Sequence, residues 1–462
     1  MNLEDNFQEF EHIIEEMTYV YKHDNRPWLI GYSGGKDSSL LVTLTIETVL
    51  RLPENQRTKK IFIVTSDTGV ENPIVKRYMH NSSQKINEFS NRVHANIQAD
   101  IIYPDVLQSY WSLVIGLGYP TPEPPGFRWC TERLKILPMN RYTNKIIEQY
   151  GEVILLLGVR KAESASRQRS ITSREIEGKI LTPHSDISGA YVYNPLTEIK
   201  NELVWEYLLR NEGVSCWGVD MKYLFSLYQG EDMGEEQSVI GQIDKNKIPI
   251  TGNSRFGCWC CTIVKEDKSL QNFIDHGSKE LVPLRDFRNL LVSIRQDPEF
   301  RDSKRRNGKV YQKANGEYGF GPFKLSARQE ILRRLLTLQK ETGFDLITLE
   351  ELKTIDTLWD AEGDLTRRKL VEIYYDVYGE KLPWDEYKTP VYEEEIVKEI
   401  QQAAEQAEIP FELVTKLIVS INNNKYLAKS SKVQKEFDRL MGQEWVHYNS
   451  VKEGLEDEDK KN

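Results

Sequence analysis

Six consecutive residues, Ser33-Gly34-Gly35-Lys36-Asp37-Ser38, carry the clearest chemistry in this chain. They follow the apolar run Trp28-Leu29-Ile30-Gly31-Tyr32 and precede a helical pattern over Leu40 to Leu50. Paired glycines let the backbone turn sharply and bring N–H groups against an anion. A helix N-terminus adds partial positive charge at the same place. Ser33 and Ser38 offer hydroxyl donors and Lys36 a cationic contact. Asp37 can cap the helix or hold a metal ion on the pyrophosphate side. The spacing is not that of the Walker loop. It suits chemistry in which charge gathers on a phosphate leaving group held by fixed donors. The bland alternative is an ordinary tight strand-to-helix turn.

Sulfur is the second chemistry. Cys258 and Cys261 in Cys258-Trp259-Cys260-Cys261 have a spacing that sets two thiolates toward one metal or cluster. A redox dithiol or a persulfide carrier uses the same spacing. Zinc would need two further ligands, and His276 is the histidine that follows. Cys130 sits apart in Arg128-Trp129-Cys130-Thr131, and Cys216 is the fifth cysteine.

The elements that must position these groups alternate. Strands are expected at Trp28–Tyr32, Ile61–Val64, Ala99–Tyr103 and Val153–Leu157, and helices at Leu40–Leu50, Ile74–Phe89 and Leu134–Tyr150. Continuous apolar strands between helices imply a doubly wound parallel α/β sheet. Asp67 and Gly158 then fall just beyond strand ends, where open sheets bind ligands. Asp67 could also be a plain helix cap. The run Tyr119-Pro120-Thr121-Pro122-Glu123-Pro124-Pro125-Gly126 excludes regular structure and reads as a surface loop or a lid. The texture turns helical from about Asn201 and wholly helical from about Leu325, giving a helical C-terminal region. The expected blocks are an N-terminal helix at 1–26, a nucleotide domain at 27–200, a cysteine-containing region at 201–325, a helical domain at 326–450 and an acidic tail at 451–462.

Composition bounds the rest. The chain has 462 residues, net charge −10, 39% hydrophobic residues and five cysteines. A disulfide scaffold is not expected from an odd cysteine count in a chain this long. The longest apolar run, Val153–Val159, is too short to span a bilayer, and Met1–Asp5 does not read as a signal peptide. A cytoplasmic enzyme with no membrane partner is the expectation. Arg301, Lys304, Arg305, Arg306, Lys309 and Lys313, with Tyr311 nearby, form the strongest basic run. It can track a nucleic-acid backbone or simply be solvated surface.

The glycine loop resembles the PP-loop of the ATP pyrophosphatase superfamily, which implies ATP cleaved to AMP and pyrophosphate with Mg²⁺. Asp67-Thr68-Gly69-Val70-Glu71 is similar to the Asp/Glu-Thr-Gly-x-Glu segment of the PAPS reductase family. Gly158-Val159-Arg160-Lys161-Ala162-Glu163-Ser164 resembles that family's Gly-x-Arg-x-x-Glu-Ser motif, followed here by Arg167 and Arg169. The resemblance implies nucleotide contacts at Ser33 through Ser38, Asp67, Gly158 and Arg160, with Arg160 clamping a phosphate.

A narrower resemblance runs from about residue 28 to about residue 375. Gly252-Asn253-Ser254-Arg255-Phe256-Gly257-Cys258-Trp259-x-Cys261-Thr262, Trp129-Cys130-Thr131-x-Arg133-Leu134-Lys135, and Gly321-Pro322-Phe323 with Arg328 resemble the DndC family of DNA phosphorothioation systems. The SspD proteins of the single-strand system are a close relative in role. This resemblance implies ATP-dependent sulfur insertion into the DNA backbone, as part of restriction-modification and phage defence. A cysteine desulfurase is the implied sulfur donor, other phosphorothioation proteins the implied partners, and a 4Fe–4S cluster the implied cofactor. Thr251 stands where members usually carry a cysteine, and no cysteine lies between Val239 and Ile250. Three thiolates, Cys130, Cys258 and Cys261, could then hold the cluster with one iron open for sulfide, and Cys216 or Cys260 could supply a fourth ligand. A sulfonucleotide reductase is one rival, but its C-terminal cysteine has no counterpart after Cys261. A tRNA-thiolating enzyme and a nucleotide-gated scaffold are the others.

Overall fold

The computed structural model describes residues 7–123, 128–163, 168–169, 172, 176, 178–228, 257–310, 312, 319–424 and 430–443. The expectations for Pro124 to Gly126, Ser164, Arg167, Thr251 to Phe256, Tyr311, Lys313 and the tail at 451–462 lie outside the described residues. The chain forms two units built from interleaved stretches, Met1–Pro104, Trp129–Trp259 and Glu266–Val282 in the first, Asp105–Arg128, Cys260–Lys265 and Pro283–Asn462 in the second.

The first unit holds the sheet. Its helices are α1 (Gln8–His23), α2 (Lys36–Leu50), α3 (Pro73–Arg92), α4 (Leu137–Tyr150), α5 (Asn201–Leu208), α6 (Met221–Tyr228) and α7 (Lys268–Asp275). Its strands are β1 (Trp28–Gly31), β2 (Ile61–Ser66), β3 (Ile97–Ile102), β4 (Val153–Leu156), β5 (Thr182–Pro183) and β6 (Ala190–Tyr193). The order is β3-β2-β1-β4-β6-β5, parallel except for the β5–β6 pair. Trp28 aligns with Ile61 on one side and Ile154 on the other. Successive side chains point to opposite faces. Trp28, Ile30, Ile61, Ile63, Ile154 and Leu156 therefore pack under α1, α2, α3, α5 and α6, while Leu29, Phe62, Val64, Val153 and Leu155 face α4. This is the doubly wound sheet expected, with helices on both faces.

Boundaries moved for local reasons. α3 starts at Pro73 because the Asn72 side chain accepts the Ile74 N–H at 3.0 Å. α2 starts earlier than its apolar pattern, at Lys36, directly after the glycines. Residues 132–136 are a π-turn ahead of α4. The short β5–β6 pair has no periodic signal and was not expected.

The second unit is helical: α8 (Val282–Ile294), α9 (Leu325–Thr342), α10 (Leu349–Glu362), α11 (Lys369–Tyr378), α12 (Glu394–Gln406), α13 (Phe411–Asn424) and α14 (Ser430–Met441). Thr348 and Glu351 close a capping box on α10. Ile331, Leu332, Leu335, Leu336, Ile355 and Trp359 are buried as the helical spacing implies. On α12 Ala404 is the buried residue.

The stretch at 105–128 belongs to this unit, although it interrupts the sheet domain in sequence. Two buried indoles tie it there: Trp111 Nε1 donates to Leu346 O at 2.7 Å and Trp359 Nε1 to Ile115 O at 2.9 Å. Both units are thus built from stretches that interleave along the chain. The described start of the proline-rich loop is pinned within the same unit, with Thr262 Oγ1 donating to Pro122 O at 2.5 Å. No helix among the described residues is long and apolar enough to cross a membrane.

Candidate nucleotide and sulfur site

β1 sits at the middle of the sheet, with β2 on one side and β4 on the other. The chain reverses its direction of winding there, and open parallel sheets bind ligands beyond strand ends at such a switch. The loop Ser33–Ser38 occupies this place. Gly34 has φ +72°, and a Cβ there would lie 2.8 Å from Met79 Cγ, so only glycine fits. The Ser33 N–H donates to Ser38 Oγ at 3.3 Å, the two hydroxyl oxygens are 3.2 Å apart, and Ser38 Oγ donates to Gly35 O at 2.9 Å. Both serines are thus part of the loop's internal frame.

Lys36 and Asp37 stand at the first turn of α2. Lys36 Nζ is 3.4 Å from Asp37 Oδ2 and 5.5 Å from the centre of the Tyr228 ring. Its own N–H, one of the unpaired donors of a helix N-terminus, donates to Tyr228 Oη at 3.2 Å. A phenol oxygen therefore occupies a position suited to an anionic oxygen. Tyr228 lies 192 residues from Lys36, and no sequence signal linked them. Tyr228→Phe should leave the amide open to ligand and tighten ATP binding about 2- to 10-fold, the worth of one modest hydrogen bond. Calorimetric titration with ATP checks this; weaker binding would mean that the phenol supports the loop.

Gly158 and Arg160 follow β4. A Cβ at Gly158 would lie 3.1 Å from Asp37 O, so this glycine lets the β4 turn close on the loop. Arg160 is 1% exposed. Its Nε donates to Asp37 Oδ1 at 2.7 Å, Nη1 to Ile199 O at 3.1 Å and Nη2 to Asn201 Oδ1 at 3.2 Å. The guanidinium expected to clamp a phosphate reaches these three protein acceptors and fixes Asp37. Asp37 in turn is held between Arg160 and Lys36.

The turn after β2 carries Asp67, which is fully buried. Its carboxylate accepts the Gly69 N–H at 2.8 Å, with His80 Nε2 at 2.8 Å and Lys76 Nζ at 3.5 Å. Lys76 and His80 are one helical turn apart on α3, a spacing visible in the sequence. Asp67 thus shapes its turn through protein partners.

The same turn receives a cysteine. Glu71 pairs with Cys258 in an antiparallel bridge, the Trp259 N–H donates to Val70 O at 3.0 Å, and Thr68 Oγ1 lies 3.8 Å from Cys258 Sγ. Ser66 Oγ donates to Leu134 O at 3.3 Å, which anchors the Trp129–Lys135 stretch beside it. Lys135 Nζ lies 3.5 Å from Glu71 Oε1. Glu71, and to a smaller extent the Cys258 and Cys130 thiols, hold the Lys135 ammonium well above its ordinary pKa against the opposing effect of burial. Motifs distant in sequence therefore meet here: Thr68 and Glu71, Cys130 and Lys135, and Cys258.

The other cysteines do not join them as a ligand set. None of the five is in a disulfide. Cys216 packs against the sheet core, and burial pushes its thiol up to about 12. Cys258 belongs to the first unit and Cys260 and Cys261 to the second; Cys260 is buried and the Cys261 carbonyl accepts from Arg288 Nε at 2.8 Å. Among the described residues no three of His, Cys, Asp and Glu converge to hold a metal. The described residues do not form the site that a 4Fe–4S cluster would need.

An uncharacterized protein of Methanocaldococcus jannaschii is 24% identical over 193 residues, 42% of this chain and 33% of that protein, so the chain spans about a third of the length of this curated relative. Solved structures that align include the FMN adenylyltransferase of Candida glabrata in complex with FAD and inorganic pyrophosphate (13% identity, 50% of this chain and 62% of that one, TM-score 0.30). Another is the U34-tRNA thiolase of Methanococcus maripaludis with its 4Fe–4S cluster (12% identity, 61% and 80%, TM-score 0.28). The phosphoadenosine phosphosulfate reductase domain matches residues 27–264, from the strand before the glycine loop to just past the cysteine pair, and this chain belongs to that family.

Proposed function

We propose that this protein uses ATP to activate a phosphate of the DNA backbone for replacement of an oxygen by sulfur. One observation carries the reading: Cys258 is bridged onto the turn after β2, while the phosphate loop follows the adjacent strand β1. A thiol and an anion-binding helix terminus thus share one end of one sheet.

In the first step a non-bridging DNA oxygen attacks the α-phosphorus of ATP. The α–β bridge breaks, pyrophosphate leaves, and an adenylylated phosphate remains. The Lys36 ammonium and the loop N–H groups stabilise the departing charge, and Mg²⁺ accompanies ATP as part of the substrate. Arg160 holds the Asp37 carboxylate in place at the first turn of α2. In the second step the terminal sulfur of a persulfide attacks the DNA phosphorus, and AMP leaves with the oxygen. A second thiol then cleaves the S–S bond, and a cellular thiol reductant reopens the disulfide that results. Lys135, lodged by Glu71 beside Cys130 and Cys258, supplies positive charge where sulfur would carry negative charge. A cysteine desulfurase is the proposed sulfur source. DNA as acceptor is supported by the resemblance of the segments around Cys130, Cys258 and Gly321 to the DndC family.

Mass spectrometry of nuclease-digested host DNA tests the reading. Sulfur-containing dinucleotides should vanish when the gene is deleted, and return with wild type but not with Cys258→Ala or Lys36→Ala. An intact host without such dinucleotides, or a host that keeps them after deletion, would sink it. Thiolated tRNA nucleosides lost on deletion would redirect it to tRNA.

A further inference from the structure

The basic run at Arg301–Lys309 does not lie as one solvated face. Arg301 is buried, with Nε donating to Gly321 O at 2.8 Å. Lys304 is 2% exposed and its Nζ is 3.8 Å from Glu412 Oε2. The Asp302 N–H donates to Pro322 O at 2.8 Å, and the Phe323 N–H to Gly118 O at 2.7 Å. The Gly321-Pro322-Phe323 motif, unused by the nucleotide site, thus folds the basic run into the wall of a cavity.

That cavity lies wholly in the helical unit and has a volume of about 740 Å³. Six cations line it, Lys304, Arg305 and Arg306 from the loop, Lys416 from α13, and Lys435 and Arg439 from α14. Four carboxylates line it too, and three of them are taken up close by. Glu362 is held by Arg328 at 2.7 Å, Glu436 by Arg439 at 2.6 Å, and Glu412 by Lys416. Burial, reinforced by Glu412, raises the pKa of the fourth, Asp302. Burial also disfavours the Lys304 ammonium, a cost that an arriving anion would offset. Arg305, Arg306, Lys435 and Arg439 are solvent-exposed. Arg306 also lies 5.5 Å from the centre of the Tyr119 ring.

We propose that this cavity is a second, ATP-independent site that binds a single strand of nucleic acid through its phosphates. The cations come from three separate elements, as suits successive phosphates of a backbone better than a clamp on one phosphate. The volume suits a few nucleotides and not a duplex. An aromatic ring beside an arginine is a usual companion of single-strand grooves. The inference takes from the proposed sulfur-transfer reading only the reason for a nucleic acid to be present.

Fluorescence anisotropy of the full chain with a labelled oligothymidylate of about 12 nucleotides tests it. Binding should weaken with salt, losing about 0.7 in the log–log slope for each phosphate contact. Arg305→Ala with Lys435→Ala should weaken it at least about tenfold, while stabilisation of the protein by ATP stays as in wild type. Lys36→Ala should bind the strand as wild type does, so a failure of the ATP chemistry leaves this site standing. No binding, an unaffected double variant, or displacement of the strand by excess AMP would each overturn the proposal.

Discussion

Lys36→Ala should lower pyrophosphate release from ATP about 10²- to 10³-fold, the usual cost of removing one donor fixed on developing negative charge. The ammonium is held at the first turn of α2, 3.4 Å from Asp37 Oδ2 and over the Tyr228 ring. It adds a full charge to the partial charge of the helix end. Because the residue is only 9% exposed, its aliphatic stem also packs, so loss of packing has to be separated from loss of charge. Lys36→Met keeps most of the stem and should be as inactive as the alanine variant. Lys36→Arg should recover part of the rate. A turnover number that survives in Lys36→Met would show that the ammonium does not touch the leaving group. The assay is release of AMP and pyrophosphate in equal amounts, which also separates this cleavage from removal of the γ-phosphate.

Asp37→Ala should destabilise the sheet unit by up to about 3–5 kcal/mol, because it removes a carboxylate 2.7 Å from a buried guanidinium. Arg160 is 1% exposed, and Ile199 O and Asn201 Oδ1, which its two Nη atoms also reach, are neutral. The carboxylate of Asp37 supplies the opposing charge at 2.7 Å. Replacing both residues, Asp37→Leu with Arg160→Met, should cost less than Asp37→Ala alone, because the buried guanidinium is then removed together with its carboxylate. Urea unfolding without ATP reads this out, and the double-mutant cycle isolates the pair. An Asp37→Ala protein as stable as wild type would overturn this and leave Asp37 only a role toward ligand.

Much of the site is local information. Ser33 to Ser38 lies between an apolar strand and a helix because a glycine pair between two such patterns leaves the backbone few other courses, and the sheet follows from alternating apolar runs that must bury both faces. Asp67 and Gly158 fall at strand ends for the same reason. These features rest on neighbours within a few residues, and so sequence periodicity determines them. What each side chain touches does not. Arg160 reads as a phosphate clamp from its spacing, yet burial requires it to spend its donors on Asp37, Ile199 and Asn201, which lie 123, 39 and 41 residues away. Tyr228 reaches Lys36 only because α6 packs on the same sheet face as α2. The basic run reads as surface, but Arg301 and Lys304 turn inward once Gly321 to Phe323 close over them. Cys130, Cys258 and Cys261, with Cys216 or Cys260 beside them, look like one ligand set in the sequence. The fold instead sets Cys216 against the core and brings Cys258 to Glu71 and Lys135, because bridge pairing and burial act across the whole chain and leave no trace in spacing.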